Sequence, residues 1–251
     1  MEFALAHEFS HLGFSGHAPL PFENNYTIRS EEYIKYCNEI RSLQTEFADR
    51  INICLGLEID YIPGVMDNFS ELIINGRLDY CIGSVHIVNQ PENPENMWFI
   101  DVKLLEKYHE GLQRVFGGDI RKGVQAFFQQ TNEMIESQRP LIVGHLDKIL
   151  THNDGNRYFK PDEKWFQYLV FETVELIRQA GCICEINTRG IYKKRHEDFY
   201  PSRETIKYMN QKNIPVLVST DAHEPANLDM FEGAYEYLRE IGYRNVVYTI
   251  L

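Results

Sequence analysis

The chain has 251 residues, of which 43% are hydrophobic and 13% aromatic, and its formal net charge is −12. This length and composition support a full hydrophobic core, which excludes an intrinsically disordered protein. The acidic balance argues against a long nucleic acid or an anionic membrane as the main partner, because both are themselves negatively charged. A bound cluster of metal cations would offset part of this charge locally.

The cysteines indicate a reducing compartment. Their odd number and wide spacing do not match a small disulfide-rich domain, so we expect free thiols, with two of them packing inside one apolar strand. No apolar run is long enough to cross a bilayer, and the N-terminus lacks the pattern of a signal peptide. We therefore predict a soluble, cytoplasmic protein. The cysteines are Cys37, Cys54, Cys81, Cys182 and Cys184.

Short apolar strands alternate with longer amphipathic segments, and no repeat or linker-like stretch divides residues 1–251, so we predict one domain. A helix is predicted to begin at a capping Ser30 and to run to about Phe47. Strand and helix alternating in this way predict a mainly parallel sheet, either a barrel or a doubly wound layer. Further predicted helices cover residues 102–115, 121–137, 162–180 and 230–241. Predicted strands lie near residues 12–15, 51–59, 80–85, 141–144, 182–187, 215–218 and 245–251.

Side chains that bind metals follow the ends of most predicted strands. Asp221 and His223 come after the apolar run at 215–218, and residues two apart in an extended chain point the same way. In an α/β barrel the carboxyl ends of the strands meet on one face, which carries the chemistry. Imidazoles with a carboxylate suit Zn²⁺, Fe²⁺ or Mn²⁺. The other side chains in equivalent positions are His17, Glu58, His86, His145, and Glu185 or Asn187.

Six segments in order along the chain together resemble the PHP (polymerase and histidinol phosphatase) superfamily, and within it the histidinol-phosphate phosphatases. The resemblance implies an α/β fold, a distorted (βα)7 TIM-like barrel, that holds up to three divalent metal ions at the C-terminal ends of its strands. Zinc, iron or manganese would serve as the cofactor. The segments are GFSGHAPLP at 13–21, GLEIDY at 56–61, IGSVHIV at 82–88, VGHLDK at 143–148, EINTRG at 185–190 and STDAHEP at 219–225.

The resemblance also implies roles for individual ligands. Glu58 would bridge the first and second metals, His86 and His145 would complete the second, and Asp221 would bind the first.

His17 and His223 would bind the third metal. Members of the family begin with a strand that carries H-x-H, whereas this chain begins at Met1 with a segment that matches the helix after that strand. We therefore expect this chain to lack an N-terminal strand that supplies further ligands; if it is complete, the protein is an impaired member.

By resemblance the reaction is hydrolysis of L-histidinol phosphate, with an attacking water activated by the metals. Arg189 is the candidate phosphate clamp, because a guanidinium matches phosphate oxygens bidentately. Asp147 is a candidate to orient His145, and Asp221 or His223 would protonate the leaving group. Residues that we expect around the pocket are Tyr26, Tyr61, Glu92, Glu95 and Trp98.

Three other functions stay open at this point. A PHP phosphoesterase could act on nucleotides, and a relative lacking its first strand could bind metal without catalysis. The segment His7-Glu8-Phe9-Ser10-His11 also fits H-E-x-x-H of the zinc proteases, with His17 as a third ligand. The protease is disfavoured because Phe14 occupies the position of the required glycine, and we expect His7 and His11 to lie on the surface of a helix.

Overall fold

The protein is described here by a computed structural model that covers residues 1–90 and 93–250. Strands and helices alternate along these residues as the sequence predicts. The strands are β1 (His11–His17), β2 (Asn52–Asp60), β3 (Tyr80–Ser84), β4 (Ile87–Gln90), β5 (Asn93–Phe99), β6 (Ile142–Val143), β7 (Ile183–Asn187) and β8 (Val216–Ser219). The helices are α1 (Glu2–Ala6), α2 (Tyr33–Glu46), α3 (Ser70–Gly76), α4 (Leu105–Phe116), α5 (Ile120–Gln138), α6 (Lys164–Ala180), α7 (Arg189–Tyr192), α8 (Arg203–Gln211) and α9 (Ala234–Glu240).

Six of the strands among the described residues form one parallel sheet in the order β1-β2-β3-β6-β7-β8, while β4 and β5 form a separate antiparallel hairpin. The sheet is curled into a half-barrel. Apart from the hairpin, the strands lie side by side in chain order, so their carboxyl ends share one edge. This architecture confirms the predicted α/β, TIM-like barrel class.

Two of the predicted elements differ from the structure, one at the start of α2 and one at the C-terminal end of the chain. Ser30 does not cap α2: it begins a 3-10 turn, Ser30–Glu32, without a capping hydrogen bond from its side chain, and α2 starts at Tyr33. The predicted last strand at 245–251 is wrong, since Val246 forms only an isolated bridge with Val216. Residue 251 lies outside the described residues.

Strand β2 runs through the middle of the core. All of its residues after Asn52 are buried, because the strand is covered on both faces, as is usual in parallel sheets. Gly56 is required here, since a Cβ at this position would lie 2.4 Å from the ring of Tyr80. The polar exceptions, Glu58 and Asp60, come at the carboxyl end of the strand. The core therefore holds these two acids in place at the mouth of the half-barrel.

A second apolar cluster fixes the hairpin that follows β3. Trp98 on β5 is fully buried, and its Nε1 donates a 3.0 Å hydrogen bond to the carbonyl of Tyr108 on α4. The predicted role of Trp98 as a pocket wall is therefore wrong. After β5 the backbone N–H of Ile100 donates to the carbonyl of His86 at 2.9 Å. The hairpin thus returns the chain to the end of β3.

Within the described residues, no helix has the length and apolar character needed to cross a membrane. The five cysteines are all buried and unpaired, as the sequence predicts.

Replacing Trp98 with alanine is expected to lower the free energy of unfolding by about 3–5 kcal/mol, because it removes a large buried ring and leaves a cavity. Urea titration of the variant and the wild type measures the difference. Tyr168→Ala is the matched control, since Tyr168 is 65% exposed on α6 and its loss should cost less than about 0.5 kcal/mol. A similar loss in both variants would contradict the assignment of Trp98 to the core.

Candidate metal centre

Glu58 is the acid around which three predicted ligands assemble. Its Oε1 lies 3.0 Å from His145 Nε2 and 3.6 Å from His86 Nε2, while its Oε2 lies 3.7 Å from His17 Nδ1. Ser84 donates its hydroxyl hydrogen to Oε1 at 2.7 Å. Burial by itself would raise the pKa of Glu58, but the neighbouring imidazoles outweigh it and hold the pKa well below its usual range. The carboxylate is therefore ionised, with its two oxygens facing different histidines.

His86 is oriented by Asp60, which the sequence analysis did not assign. Asp60 Oδ1 accepts hydrogen bonds from His86 Nδ1 at 2.6 Å and from the His86 backbone N–H at 3.1 Å. Burial would lower the pKa of His86, but the charge of Asp60 raises it to about 10. The Nε2 atom is left facing Glu58. A carboxylate that fixes one ring nitrogen while the other is turned to the site is typical of metal-binding histidines.

His145 is held through its backbone. Its N–H donates to Glu185 Oε2 at 2.7 Å, so Glu185, one of the polar residues expected at a strand end, supports the loop that carries the histidine. Burial raises the pKa of Glu185. The ring of His145 lies 4.6 Å from that of His86, centroid to centroid. Strands β2, β3, β6 and β7 thus each contribute to one cluster.

Asp147 does not orient His145, contrary to the prediction. Its Oδ2 accepts a 2.9 Å hydrogen bond from the backbone N–H of Ser202, at the start of α8. Its Oδ1 is buried and makes no hydrogen bond within the described residues. Burial raises the pKa of Asp147 to about 7. The side chain fastens the loop after β6 to the loop after β7 and does not act on the imidazole.

Asp221, His223 and Arg189 lie together at the ends of β7 and β8. His223 Nδ1 is 3.4 Å from Asp221 Oδ1, and Arg189 Nε is 3.8 Å from Asp221 Oδ2. Asn187 donates to the same Oδ2 at 3.2 Å. Asp221 adopts a positive φ of 49°, in the left-handed region that costs free energy for most residues with a side chain. The rings of His223 and His17 are 6.2 Å apart, which joins this group to the Glu58 cluster.

Of the aromatic residues expected around the pocket, Tyr26 is the one beside the cluster. Its ring meets His17 edge-on at 5.4 Å, and burial, followed by the charge of Asp60, raises the pKa of its hydroxyl. Tyr61 is buried in the core and donates to Glu133 at 2.9 Å, so it is not a pocket residue. Glu92 and the side chain of Glu95 lie outside the described residues.

The H-E-x-x-H segment does not form the helix that a zinc protease needs. His7 directly follows α1 as its C-terminal cap, and its ring stacks on Phe3. His11 instead begins β1. The prediction that both histidines lie on the surface of one helix is therefore wrong for His11. His11 Nε2 contacts Asn52 Nδ2 at 3.1 Å. His11 and His17 lie at opposite ends of the same strand and face separate surroundings.

A metal ion fits the donors of this cluster. One ligand atom from each of His17, Glu58 and His86 lies within 4.8 Å of the others. The Nδ1 atom of His17 is buried and has no hydrogen-bond partner within the described residues, which leaves a lone pair or a proton unmatched. Two imidazoles and a carboxylate form a donor set suited to Zn²⁺, Fe²⁺ or Mn²⁺.

The positions of Asp60 and Ser84 in the sequence could have predicted that they contact the proposed ligands. Asp60 is two residues after Glu58 on β2, and Ser84 is two residues before His86. The same i, i+2 rule that paired Asp221 with His223 places each of them on the face of its neighbouring ligand. The hydrogen bonds that they form follow from that placement.

Known proteins resemble this chain in sequence and in fold. A family model described as "PHP domain" matches residues 1–189. A Deinococcus radiodurans protein named "Probable histidinol-phosphatase" is 27% identical over 98% of this chain and 87% of its own length.

Two solved structures are similar in fold. A candidate histidinol phosphatase, hisK, from Listeria monocytogenes matches with a TM-score of 0.81 at 18% identity, covering 93% of this chain and 91% of its own. Histidinol phosphate phosphatase from Lactococcus lactis, crystallised with zinc, L-histidinol and phosphate, matches with a TM-score of 0.65 at 20% identity, covering 98% of this chain and 87% of its own.

The buried Asp147 predicts a pH-dependent stability. Because its pKa is raised to about 7 in the folded protein and is about 4 when unfolded, its ionisation cost is absent below about pH 4, grows up to about pH 7 and is constant above. Asp147→Asn is neutral throughout. We compare the free energy of unfolding of this variant with that of the wild type at two pH values, by urea titration with chelator present. The variant's advantage over the wild type is expected to be about 2–3 kcal/mol larger at pH 8 than at pH 5.

The Asp147→Asn variant also tests whether Asp147 orients His145 for metal binding. Asp147→Asn should leave the affinity for zinc within about 2-fold of the wild type in a chelator competition. A loss of 10-fold or more, typical of residues that orient a metal-binding histidine, would restore the original prediction.

Proposed function

Because the chain belongs to the PHP domain family, we propose that it hydrolyses a small phosphate monoester with divalent cations bound at the Glu58 cluster. The observation that supports this most directly is the position of Glu58 itself. Its Oε1 faces His86 and His145, and its Oε2 faces His17, so Glu58 would hold cations together with the histidines on both sides of its carboxylate. Two cations held by these residues would stabilise both the attacking and the leaving oxygen of a phosphoryl transfer.

The proposed ligands are His17, Glu58, His86 and His145, with Asp221 and His223 on the side of β8. When bound, the divalent cations lower the pKa of a coordinated water and neutralise charge on the phosphoryl oxygens. Asp60 keeps His86 Nε2 turned to the site, and Ser84 fixes the Glu58 carboxylate through its Oε1. These hydrogen bonds reduce the rearrangement needed when the cations and the substrate arrive.

Arg189 is proposed to clamp the phosphate. Its Nη1 donates to the carbonyl of Asp221 at 2.6 Å and to the hydroxyl of Tyr192 at 3.3 Å, which holds the guanidinium at the site edge. A guanidinium has five N–H donors, so these contacts leave several of them for phosphate oxygens. Asp221 or His223 is proposed to protonate the leaving oxygen, since Asp221 lies beside this arginine and His223 lies beside Asp221.

The proposed substrate is L-histidinol phosphate. The Lactococcus lactis protein of similar fold binds zinc, L-histidinol and phosphate together, and the curated relatives of this chain are named histidinol-phosphatases. Tyr26, whose ring meets His17 edge-on, borders the proposed site on one side. We also infer a cytoplasmic location, because unpaired buried thiols are typical of reducing compartments.

Removal of His145 tests the metal centre. His145→Ala in the metal-loaded protein should reduce phosphatase activity more than about 100-fold, which exceeds the effect usual for outer residues of such sites. Bound metal, measured by elemental analysis, should fall with it. His11→Ala is the matched control: it removes an imidazole from the other end of β1 and should change neither quantity. Equal behaviour of the two variants would contradict the proposed ligand set.

Chelation and substrate comparison test the reaction. Dialysis against chelator should abolish phosphate release, and Zn²⁺, Mn²⁺ or Fe²⁺ should restore it. The restored enzyme should turn over histidinol phosphate at least 10-fold more efficiently than p-nitrophenyl phosphate or any member of a nucleotide panel, by kcat/KM. A preference for a nucleotide would reject the proposed substrate but keep the phosphatase, whereas metal-independent activity would reject the mechanism.

A further inference from the structure

Lys148 carries a nearly buried ammonium group on the turn that follows His145. Its side chain is 4% exposed, and its backbone N–H donates to the carbonyl of His145 at 2.8 Å, so it lies on the turn directly after that histidine. Lysine is rarely buried to this degree unless it is paired, because removing its charge from water is costly. None of the roles proposed for the metal ligands or for Arg189 requires a lysine at this position.

Asp101 is the partner of this lysine, and the β4–β5 hairpin delivers it. The bond from Ile100 to His86 sets the next residue, Asp101, beside the end of β3. Asp101 Oδ2 is 3.3 Å from Lys148 Nζ, and its Oδ1 is 3.6 Å from Arg195 Nη1. Burial opposes ionisation of Asp101, but Lys148, followed by His86 and His145, lowers its pKa to about 2. The charge of Asp101 thus acts at the metal centre as well as on the lysine.

Tyr200 bounds the lysine on another side. Lys148 Nζ lies 5.0 Å from the centroid of the Tyr200 ring, a cation–π distance. That ring stacks on His196 at 4.8 Å with an interplanar angle of 9°. The backbone of Tyr200 exchanges hydrogen bonds of 2.7 and 3.0 Å with Asn187 at the end of β7. The ammonium group is therefore positioned by parts of the chain that are fixed to three different strand ends.

The charges in this group favour an anion. Lys148 and Arg195 contribute two positive charges and Asp101 one negative charge, so the group is net positive next to the proposed cation ligands. An ammonium has three N–H donors, and one carboxylate does not use them all. A substrate ammonium would be repelled here, whereas a phosphoryl group would be attracted.

We propose that Lys148, held by Asp101 against the face of Tyr200, binds the phosphoryl group of the substrate in addition to Arg189. The proposal rests on the phosphatase function proposed above. In this proposal the Lys148 ammonium contacts phosphate oxygens, which are present in both the ester and the released inorganic phosphate. Lys148 should therefore affect the binding of both, and should not affect the binding of the alcohol product.

The test is Lys148→Met in the metal-loaded protein. Hydrogen bonds to charged groups contribute about 1.5–3 kcal/mol, which corresponds to about 10- to 100-fold in binding. The inhibition constant of inorganic phosphate should rise by about this factor, and kcat/KM for histidinol phosphate should fall by it. The inhibition constant of L-histidinol should stay within about 2-fold. Lys107→Met is the matched control, since Lys107 forms an exposed pair with Glu110, and it should behave as the wild type.

Several results would overturn the proposal. An unchanged inhibition constant for phosphate in Lys148→Met would do so, and so would an equal loss for phosphate and L-histidinol, which indicates a structural role only. If the methionine variant does not fold, Lys148→Gln gives the same test, because it is neutral but still hydrogen-bonds Asp101. A wild-type protein without phosphatase activity refutes the proposed function, whereas an active wild type with an equally active Lys148→Met protein refutes this inference alone.

Discussion

The structure depends on a buried carboxylate near the carboxyl end of strand β2. Glu58 is 8% exposed, and an ionised acid at such a depth is costly unless it is paired and hydrogen-bonded. The pairing comes from three imidazoles and one hydroxyl that reach it from β1, β3 and the loop after β6. Each of those groups must be supported in turn, so the constraint spreads outward through Asp60 and Glu185. Function and folding therefore make demands on the same residues.

This arrangement explains why the mouth of the half-barrel is rich in both acids and histidines. The imidazole of His86 carries a proton that balances part of the carboxylate charge, as its raised pKa indicates. Bound cations would replace that proton as the source of positive charge, since metal binding requires neutral imidazoles. The proposed ligand atoms of Glu58, His86 and His145 already face one another in this structure. A preorganised site of this kind loses little free energy to rearrangement when it is filled.

The loops at the strand ends divide the remaining tasks. The β4–β5 hairpin packs Trp98 into a second core and brings Asp101 back to His86, so an insertion in the barrel places a charge at the site. The loops after β6 and β7 are joined through Asp147 and Ser202. Rigid attachment matters here because phosphoryl transfer is catalysed mainly by positioning and electrostatics.

The sequence by itself determined the fold class, the helices with a clear apolar period, and the strand ends at which His17, Glu58, His86 and His145 lie. Local rules suffice for these, because periodicity reports which face is buried and parallel strands place their carboxyl ends together. Only the tertiary structure decided that Asp147 faces Ser202 and that His11 begins a strand. The pairing of Asp101 with Lys148, which are 47 residues apart along the chain, could not be predicted from the sequence either. Such contacts depend on how a hairpin and three loops pack in space, which no spacing along the chain encodes.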